Sequence, residues 1–544
     1  MTAPHKPCYL GNISARAYAR RIKVSALSAL LTLPLSFCLM PAMNDAALAY
    51  THEDLARWRA CPREFWLHRH GLVKAAMPAA QAQTDQVLKA SFPQAAVIEP
   101  PTTEAQWQQA IERTQTLLTQ GHLADKEATG HPDEGRAILG ACLQSNEGVR
   151  VRIDVLASGR YGLRLFKVRF ATVGNDADID QVALWTHVAA RHGLRIQSAG
   201  LLLVDTDFVY PGLACYAGLL RETELMPVLG SRPITDWLIG MRRCERDRLP
   251  DVPPDAPCHL PNGCDLTMAC GTTHLMRRGD DVADLHIVGK ELAGELREMG
   301  HVNVMSVPID ELPDERRRRA VRAVQQGRAI LEPGVRALIA ELPYPRTFLR
   351  IDTIGFAVPI WTGTRPYQVM PFQWTADIEH EPDRVTQHAF LATAQGDPRR
   401  AFAQSLLQML GSAGTVFAYN AGFERNRLRE LAEALPDLAT PLAALQARIV
   451  DLYQLARAHY YHPGMCGSWS FKSLVRAVAP TSGADQFGWH GQHEAQEAFA
   501  LSLQGRLQTA ELDSLRQALL AYGQRQTLAL RQMVALFESS ESTP

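Results

Sequence analysis

Apolar residues recur at helical spacing in the segment that follows Tyr50. In "HEDLARWRACPREFWLHRHG" the apolar side chains of Leu55, Trp58 and Phe65 fall on one helical face, and the Cys-Pro step interrupts the helix. A further helix is predicted at about 103–120. The segment therefore begins a folded domain with helical elements.

Strand-like alternation follows. Residues 149–159 and 160–172 alternate apolar and polar positions, 178–192 has helical spacing, and 199–210 is again strand-like. The predicted order is β–β–α–β. It places Asp154 on one strand and Lys167 with Arg169 on the next, where alternation puts 167 and 169 on one face.

The C-terminal half repeats the alternation of strands and helices. Residues 346–378 predict two strands around a Gly/Pro-rich turn, and the chain then alternates helix, strand, helix and strand up to "RIVDL". This order predicts an α/β domain with a ribonuclease H-like sheet. Asn420 is predicted to be the N-cap of the helix that carries Glu424.

Length and composition bound the class of protein. The chain has 544 residues, 46% of them hydrophobic and 21% charged, with a formal net charge of −1. It is long enough for about two to four domains. Overall charge gives no support for tight nucleic-acid binding, so a phosphate-binding surface would be local. Candidates are Arg316–Arg319, for which a solvated helix face is the alternative, and the basic cluster Arg57, Arg59, Arg63, His68 and Arg69.

The N-terminal 49 residues resemble a secretory signal. Arg20, Arg21 and Lys23 precede an apolar run, and "ALA" at 47–49 has the form of a cleavage site. Ser and Pro interrupt the run, so we expect no stable membrane insertion. The alternatives are an exported protein and a cytoplasmic protein with an incorrectly assigned start. Free thiols favour the cytoplasm.

Four cysteines have the pattern of a metal clasp. Cys258, Cys264 and Cys270 are evenly spaced in a Pro-, Gly- and Asp-containing segment, and Cys61 lies roughly two hundred residues upstream. Thiolates in fours hold iron–sulfur clusters or structural zinc. The predicted cofactor is a 4Fe-4S cluster, with zinc as the alternative; Cys244 lies near the triplet as a competing ligand.

Residues 50–271 resemble the RecB-type nuclease domains related to the CRISPR-associated exonucleases. In that family an Asp on one strand precedes a Glu-x-Lys on the next, and a four-cysteine iron–sulfur clasp has one ligand before the core and three after it. The resemblance implies that Asp154 is a catalytic acid. Lys167 and Arg169 stand where the Glu and the Lys are expected, and an ammonium group in place of a carboxylate opposes a divalent cation. The first site is therefore predicted to be inactive.

Residues 344–500 resemble the bacterial family known as domain of unknown function 2779. The residues that carry the likeness are "IDTIGFAVPIWTGTRPYQVMPFQ", "YNAGFERNRL", "RIVDL" and "YYHPGMCGSWSFKSLVRAVAP". Members resemble the DEDD-type 3′–5′ exonucleases and are commonly fused to the RecB-like module. Both halves of the chain thus imply the same architecture.

The second resemblance implies a set of acids that would hold two magnesium or manganese ions. Asp352 matches the second acid of the family's Asp-x-Glu motif, Glu424 matches the acid of its Asn-x-x-Phe-acid motif, and Asp451 matches the acid of "RIVDL". Arg350 occupies the place of the first acid. The segment "GQHEAQEAF" supplies His493 and Glu497 for the last motif in an imperfect register. The alternative for Glu424 and Asp451 is an ordinary role at a helix terminus and a strand end.

Three functions remain open from the sequence. The first is a nucleic-acid-binding pseudo-nuclease with degraded sites, the second is an active metal-dependent 3′–5′ exonuclease on DNA or RNA, and the third is an exported zinc-binding protein. The predicted organisation is an extension (1–49), a RecB-like domain (50–271), a helical linker subdomain (272–343), a DEDD exonuclease-like domain (344–500) and a helical tail (501–544).

Overall fold

Two mixed sheets, of six and five strands, organise the chain. The computed structural model describes residues 49–73, 82–123, 136–251, 289–392, 396–465, 467–478, 492–505 and 507–539. They divide into an N-terminal unit, which comprises the described residues before position 277 with Phe356–Tyr367, and a C-terminal unit of the remaining residues. Helices pack on both sheets, so the predicted α/β class is confirmed.

The sheet of the N-terminal unit has its strands in sequence order. Its strands are β1 (Ala96–Val97), β2 (Ala137–Gln144), β3 (Arg150–Gly159), β4 (Gly162–Arg169), β5 (Ile196–Val204) and β6 (Leu220–Glu224). The pairs β1–β2 and β4–β5 are parallel and the other neighbours are antiparallel.

The helices of this unit surround the sheet. They are α1 (His52–Ala60), α2 (Pro62–Arg69), α3 (Ala82–Ser91), α4 (Glu104–Thr119), α5 (Asp176–Arg191), α6 (Met226–Leu229) and α7 (Ile234–Arg246). The predicted β–β–α–β order is confirmed as β3, β4, α5 and β5. Capping boxes begin α4 at Thr103 and α5 at Asn175, because each cap satisfies backbone N–H groups of the first turn.

Strand alternation separates two cores of the N-terminal unit. On β4, Leu165 packs in the cluster that contains Trp185 of α5, while its neighbour Phe166 packs in a second cluster with Leu88 of α3. The segment Phe356–Tyr367 joins this unit through Val358, which lies in a third cluster with Tyr210.

Five strands form the main sheet of the C-terminal unit. They are β8 (Arg346–Ile354), β9 (Met370–Glu381), β10 (Arg384–Leu391), β11 (Thr415–Ala418) and β12 (Ile449–Asp451), and their order in the sheet is β10-β9-β8-β11-β12. Strands β7 (Ile330–Leu331) and β13 (Tyr460–Tyr461) form a separate pair. Strands β8, β11 and β12 are parallel, whereas β9 runs antiparallel to both β8 and β10. The ends of β8, β11 and β12 therefore meet at one edge.

Ten helices of the described residues belong to the C-terminal unit. They are α8 (Lys290–Glu298), α9 (Glu315–Gln326), α10 (Gly334–Ala340), α11 (Arg399–Leu410), α12 (Gly422–Ala434), α13 (Ala439–Ala447), α14 (Leu452–His459), α15 (Phe471–Val478), α16 (Gln492–Ser502) and α17 (Thr509–Glu538). Within the described ranges, no helix combines the length and the apolar character needed to cross a membrane.

The two faces of β8 bury different helices. Leu349 and Ile351 pack with α11, α12 and α13, whereas Phe348 packs in a cluster with Leu530 and Met533 of α17. Residues of α8, α9 and α10 belong to that second cluster as well. The described parts of 272–343 and 501–544 are thus built into the core of the C-terminal unit.

Two arginine-rich features of the sequence make internal pairs. In α9, Arg317 contacts Asp314, and Arg319, which is 4% exposed, pairs with Glu332 at 3.2 Å. In the N-terminal basic cluster, Arg59 pairs with Asp180 of α5 at 3.2 Å. The guanidinium groups of Arg317, Arg319 and Arg59 therefore form ion pairs with acids of the same unit.

Candidate functional site

Arg350 and Asp352 lie two residues apart on β8 and therefore point to the same face of the sheet. Their partners across the antiparallel pair are Thr375 and Gln373 of β9. Asp352 is 1% exposed. The Arg350 guanidinium and the Asp352 carboxyl group thus lie on one face of β8, near the end of the strand, and Asp352 is shielded from water.

Glu424 reaches the same surface from the first turn of α12. Its side chain is wholly buried, and its Oε1 lies 3.5 Å from Nη1 of Arg350. The ring of Phe471 lies 5.4 Å from the Arg350 guanidinium carbon. Arg350 supplies the positive charge of this group, which we name the β8 site: Arg350, Asp352 and Glu424.

Burial dominates the electrostatics of the β8 site. It raises the pKa of Asp352 to about 6, although Arg350 acts in the opposite direction. It raises the pKa of Glu424 to about 7, again against Arg350, with Asp451 and Asp352 adding to the rise. One guanidinium thus compensates two buried carboxyl groups only in part.

Asp451 has a different local task. It is the N-cap of α14, and its Oδ1 accepts hydrogen bonds from the backbone N–H groups of Tyr453 and Asn420, each at 3.0 Å. The carboxylate therefore joins the end of β12 to the loop before α12. These contacts correspond to the strand-end and helix-terminus role that the sequence offered as the alternative to metal binding.

The predicted N-cap of α12 is wrong. The cap residue is Ala421, without a side-chain hydrogen bond, and Asn420 has φ +60° in the left-handed region. Asn tolerates this region better than most residues, so the loop uses its backbone rather than its side chain. Glu424 still lies in the first turn of the helix, as predicted.

Three polar residues of the surroundings were missed by sequence reasoning. Gln373 donates from Nε2 to the carbonyl of Leu519 at 2.9 Å and lies 3.5 Å from Asp352 Oδ2. Tyr522 of α17 is half-buried near Asp352 and Arg350, and its partial burial raises its pKa, with Asp352 adding to the rise. Gln526 lies one turn further along α17, next to Tyr522.

The last sequence motif contributes differently from the prediction. His493 and Glu497 of α16 pair with each other at 3.2 Å, and His493 is half-exposed. The buried residue between them, Gln496, donates to the carbonyl of Thr353 on β8 at 2.7 Å. The Gln496 amide thus joins this helix to β8.

The β8 site does not fit a divalent cation as it stands. Asp352 Oδ1 and Glu424 Oε2 are buried acceptors without a hydrogen-bond partner among the described residues, which is a feature of a cation site. However, Arg350 already supplies the positive charge, and Asp451 Oδ1 is engaged by backbone. Across the described residues, no group of three or more His, Cys, Asp or Glu side chains is placed to hold a metal ion.

The predicted site of the N-terminal unit is also internally paired. Asp154 Oδ2 accepts from the backbone N–H of Val168 at 2.9 Å. Arg169 Nε lies 2.9 Å from Asp178 Oδ2, and Lys167 Nζ lies 3.9 Å from Asp178 Oδ1. Asp178, 3% exposed at its side chain, therefore pairs with both cations that replace the expected Glu and Lys, and its single charge offsets only one of them.

Asp178 and His52 were not among the predicted residues. Asp178 also completes the capping box of α5 by accepting from the backbone N–H of Asn175 at 2.9 Å, and the Asn-x-x-Asp spacing is a readable signal of that cap. His52 stacks edge-on against Trp185, and burial lowers its pKa. Lys167 lies 5.9 Å from the centre of the same Trp185 ring.

The predicted cysteine clasp is described only at its first member. Cys61 is 8% exposed and is the residue between α1 and α2. Cys258, Cys264 and Cys270 lie outside the described residues. Cys244 of α7 is close enough to Cys61 for their charges to interact, and burial raises its pKa to about 11.

The mixed sheets and their buried acids define an α/β protein, and each unit contains a cluster of buried charged residues. Residues 347–470 match the family model described as Domain of unknown function (DUF2779). The membership predicted from the sequence motifs is thus confirmed for this part of the chain. A comparison with curated proteins found no match.

Proposed function

We propose that this protein belongs to the nuclease lineage by ancestry and binds nucleic acid without cleaving it. The observation that carries the proposal is the position of Arg350, 3.5 Å from Glu424 in the β8 site. Phosphodiester hydrolysis by paired divalent ions needs carboxylates that are free to bind metal. A fixed guanidinium at their centre provides the charge that the metal would supply and excludes it by repulsion.

The topology supports the proposed ancestry. In the C-terminal unit a meander of three antiparallel strands is followed by two parallel strands, β11 and β12, which is the arrangement expected of a ribonuclease H-like sheet. In the N-terminal unit Asp154 lies on β3, and Lys167 and Arg169 lie on β4, as the RecB-like resemblance implies. Asp178 pairs with both cations there, which supports a second inactive site.

An active metal-dependent 3′–5′ exonuclease is the second candidate. It is favoured by Asp352 Oδ1 and Glu424 Oε2, which have no hydrogen-bond partner among the described residues. If Arg350 moved aside, these two oxygens would lose the neighbouring positive charge and would need another cation. The exonuclease requires Arg350 to move away from Asp352 and Glu424, whereas binding without cleavage does not.

The test uses the full chain and strands with hydroxyl ends. Binding of fluorescent single-stranded DNA and RNA is measured by anisotropy, and cleavage of the same strands is measured with manganese present. We expect binding without cleavage. Cleavage by the wild-type protein that Glu424→Gln abolishes would establish the exonuclease instead, and the absence of strand binding would overturn the proposal.

A charge reversal at Arg350 tests whether this residue prevents metal binding in the β8 site. In Arg350→Asp the repelling cation becomes a carboxylate, so we expect manganese binding, detected by electron paramagnetic resonance, that the wild-type protein lacks. The matched control is Arg384→Asp, which changes the same charge at an exposed pair with Glu381. Equal manganese binding by wild type and Arg350→Asp would contradict the blocking role of Arg350.

A further inference from the structure

A cleft of about 430 Å³ opens in the C-terminal unit at the edge of the sheet where β9 begins. Its walls include Pro371 of β9, Arg399 at the start of α11, and Arg427, Glu430, Leu431 and Glu433 of α12. The volume lies within the ~300–1,000 Å³ typical of small-molecule sites. None of these residues belongs to the β8 site.

Arg427 is a buried cation with one carboxylate partner. Its side chain is 9% exposed, and Nη2 donates to Glu430 Oε1 at 2.6 Å. Its Nε and Nη1 groups have no hydrogen-bond acceptor among the described residues. Buried donors without acceptors are costly. These two groups have almost no exposed surface, so the guanidinium must turn towards the cleft before an oxyanion there can accept from them.

The rim of the cleft adds both signs of charge. Arg399 is partly exposed and pairs with Asp397 at 2.6 Å. Glu430 pairs with Arg427 and Glu433 pairs with Arg429, each at 2.6 Å, and the two Glu side chains are 39% and 62% exposed. Leu431 and Pro371 are buried and give the cleft an apolar wall.

We propose that this cleft binds a nucleoside monophosphate, either free or as the last residue of a strand. The phosphate contacts Arg427 and Arg399, because guanidinium groups suit phosphate geometry. The base lies against the apolar wall, and its exocyclic amino group donates to a carboxylate at the rim, as cytosine donates to Glu or Asp in other complexes.

The choice of a nucleotide among phosphate esters rests on the proposed function. The cleft adjoins the β8 site in the fold: Pro371 pairs with Thr353, the residue after Asp352, and Arg427 lies one helical turn after Glu424. The charges of Arg427 and Glu424 interact. A strand whose end occupies the cleft would therefore pass the β8 site.

Calorimetric titration of the full chain tests the proposal. The probes are guanosine and adenosine monophosphate, the two nucleosides, and inorganic phosphate. We expect at least one monophosphate to bind about tenfold or more tightly than its nucleoside and than inorganic phosphate, because both ends of the ligand contribute. Binding of inorganic phosphate as tight as that of the nucleotides would overturn the assignment of ligand class.

Substitutions locate the site. Arg427→Gln is expected to weaken the monophosphate about ten- to a hundredfold, the loss of a charge-assisted contact. Arg400→Gln, an exposed neighbour of Arg399 that pairs with Asp437, is the control and is expected to bind as the wild type does. If circular dichroism shows that Arg427→Gln is unfolded, Arg399→Gln replaces it, with about tenfold weakening expected. Unchanged affinity in the folded variant would refute the site.

The last arm separates the two sources of the ligand. Short strands with a 5′- or a 3′-phosphate are tested for displacement of the bound monophosphate; displacement assigns the cleft to strand ends, and its absence assigns it to free nucleotide. Strands with hydroxyl ends that bind while no monophosphate does would refute the cleft alone. A monophosphate that binds while no strand does would refute the proposed function alone.

Discussion

The guanidinium of Arg350 lies 3.5 Å from the carboxylate of Glu424, which has no solvent exposure. With Asp352 beside it, a single cation serves two buried acids. A buried charge that loses its partner costs several kcal/mol, so this arrangement links the local charge balance to the stability of the C-terminal unit.

The pH dependence of stability follows from the two acids. Their pKa values in the folded chain, about 6 for Asp352 and about 7 for Glu424, exceed the ordinary 3.8 and 4.5. The folded state therefore binds more protons than the unfolded state in this range, and the free energy of unfolding falls as pH rises from about 4 to 7. Each group contributes roughly 3 kcal/mol at most.

Urea unfolding of wild type and Glu424→Gln at about pH 5 and pH 7.5 measures this effect. Because Gln does not titrate, the variant is expected to lose less stability between the two pH values than the wild type does. Equal losses in the two proteins would show that Glu424 is ionised throughout this range.

Gly523 of α17 is predicted to resist substitution. A Cβ there would lie 2.5 Å from Thr375 Cγ2 and 2.6 Å from Gln373 Nε2, so Gly523→Ala would push α17 from the sheet. We expect a loss of about 1–3 kcal/mol in the free energy of unfolding, despite the better helix propensity of Ala. Denaturant unfolding provides the measurement.

Gly294 of α8 is the matched control for that substitution. It is also a helical glycine, but nothing lies within 4 Å of a Cβ built on it. Gly294→Ala should stabilise the protein by about 0.5–1 kcal/mol. A stabilising Gly523→Ala would contradict the close approach of α17.

The buried ion pairs of Asp178 are predicted to stabilise the N-terminal unit. Asp178→Asn removes the carboxylate that pairs with Lys167 and Arg169, and we expect a loss of about 2–4 kcal/mol in thermal or urea unfolding. Asp176→Asn, two residues earlier and 83% exposed, breaks only a surface pair with Arg232 and should cost less than about 1 kcal/mol. Equal effects of the two substitutions would show that burial of Asp178 does not matter.

The predicted iron–sulfur cluster is tested by metal content. After anaerobic purification of the full chain we expect about one four-iron cluster per molecule, and a marked loss of iron in Cys61→Ser. Cys142→Ser is the control, because Cys142 is buried within β2 and donates to the Gly140 carbonyl at 3.4 Å. Zinc in place of iron would favour the alternative cofactor. A full cluster in Cys61→Ser together with its loss in Cys244→Ser would reassign the fourth ligand.

Local chemistry explains which parts of the site could be read from the sequence. Arg350 and Asp352 are two residues apart on one strand, so alternation alone places them on one face. Glu424 follows a strand by six residues, at the start of a helix, and parallel strands bring such positions to one edge. The family motifs in 347–470 follow the same local order.

The contacts that decide the character of the site are distant along the chain. Tyr522 and Gln526 reach the β8 site from a helix that follows Glu424 by almost a hundred residues, and Gln373 reaches it across a strand pair. No spacing rule relates such residues, because their approach depends on how α17 packs against the sheet. Asn420 illustrates the converse, since a good capping residue was displaced by the backbone conformation of its loop.

The sequence by itself determined the α/β class, the order of the main strands and helices, and the presence of Arg350 and Lys167 at positions where acids were expected. Periodicity and short-range spacing carry that information because they reflect backbone geometry. Only the tertiary structure decided that Arg350 pairs with Glu424, that Asp178 pairs with Lys167 and Arg169, and that Arg427 lines a cleft. Pairing and burial depend on which distant surfaces meet, and on the loss of water between them, which no local pattern encodes.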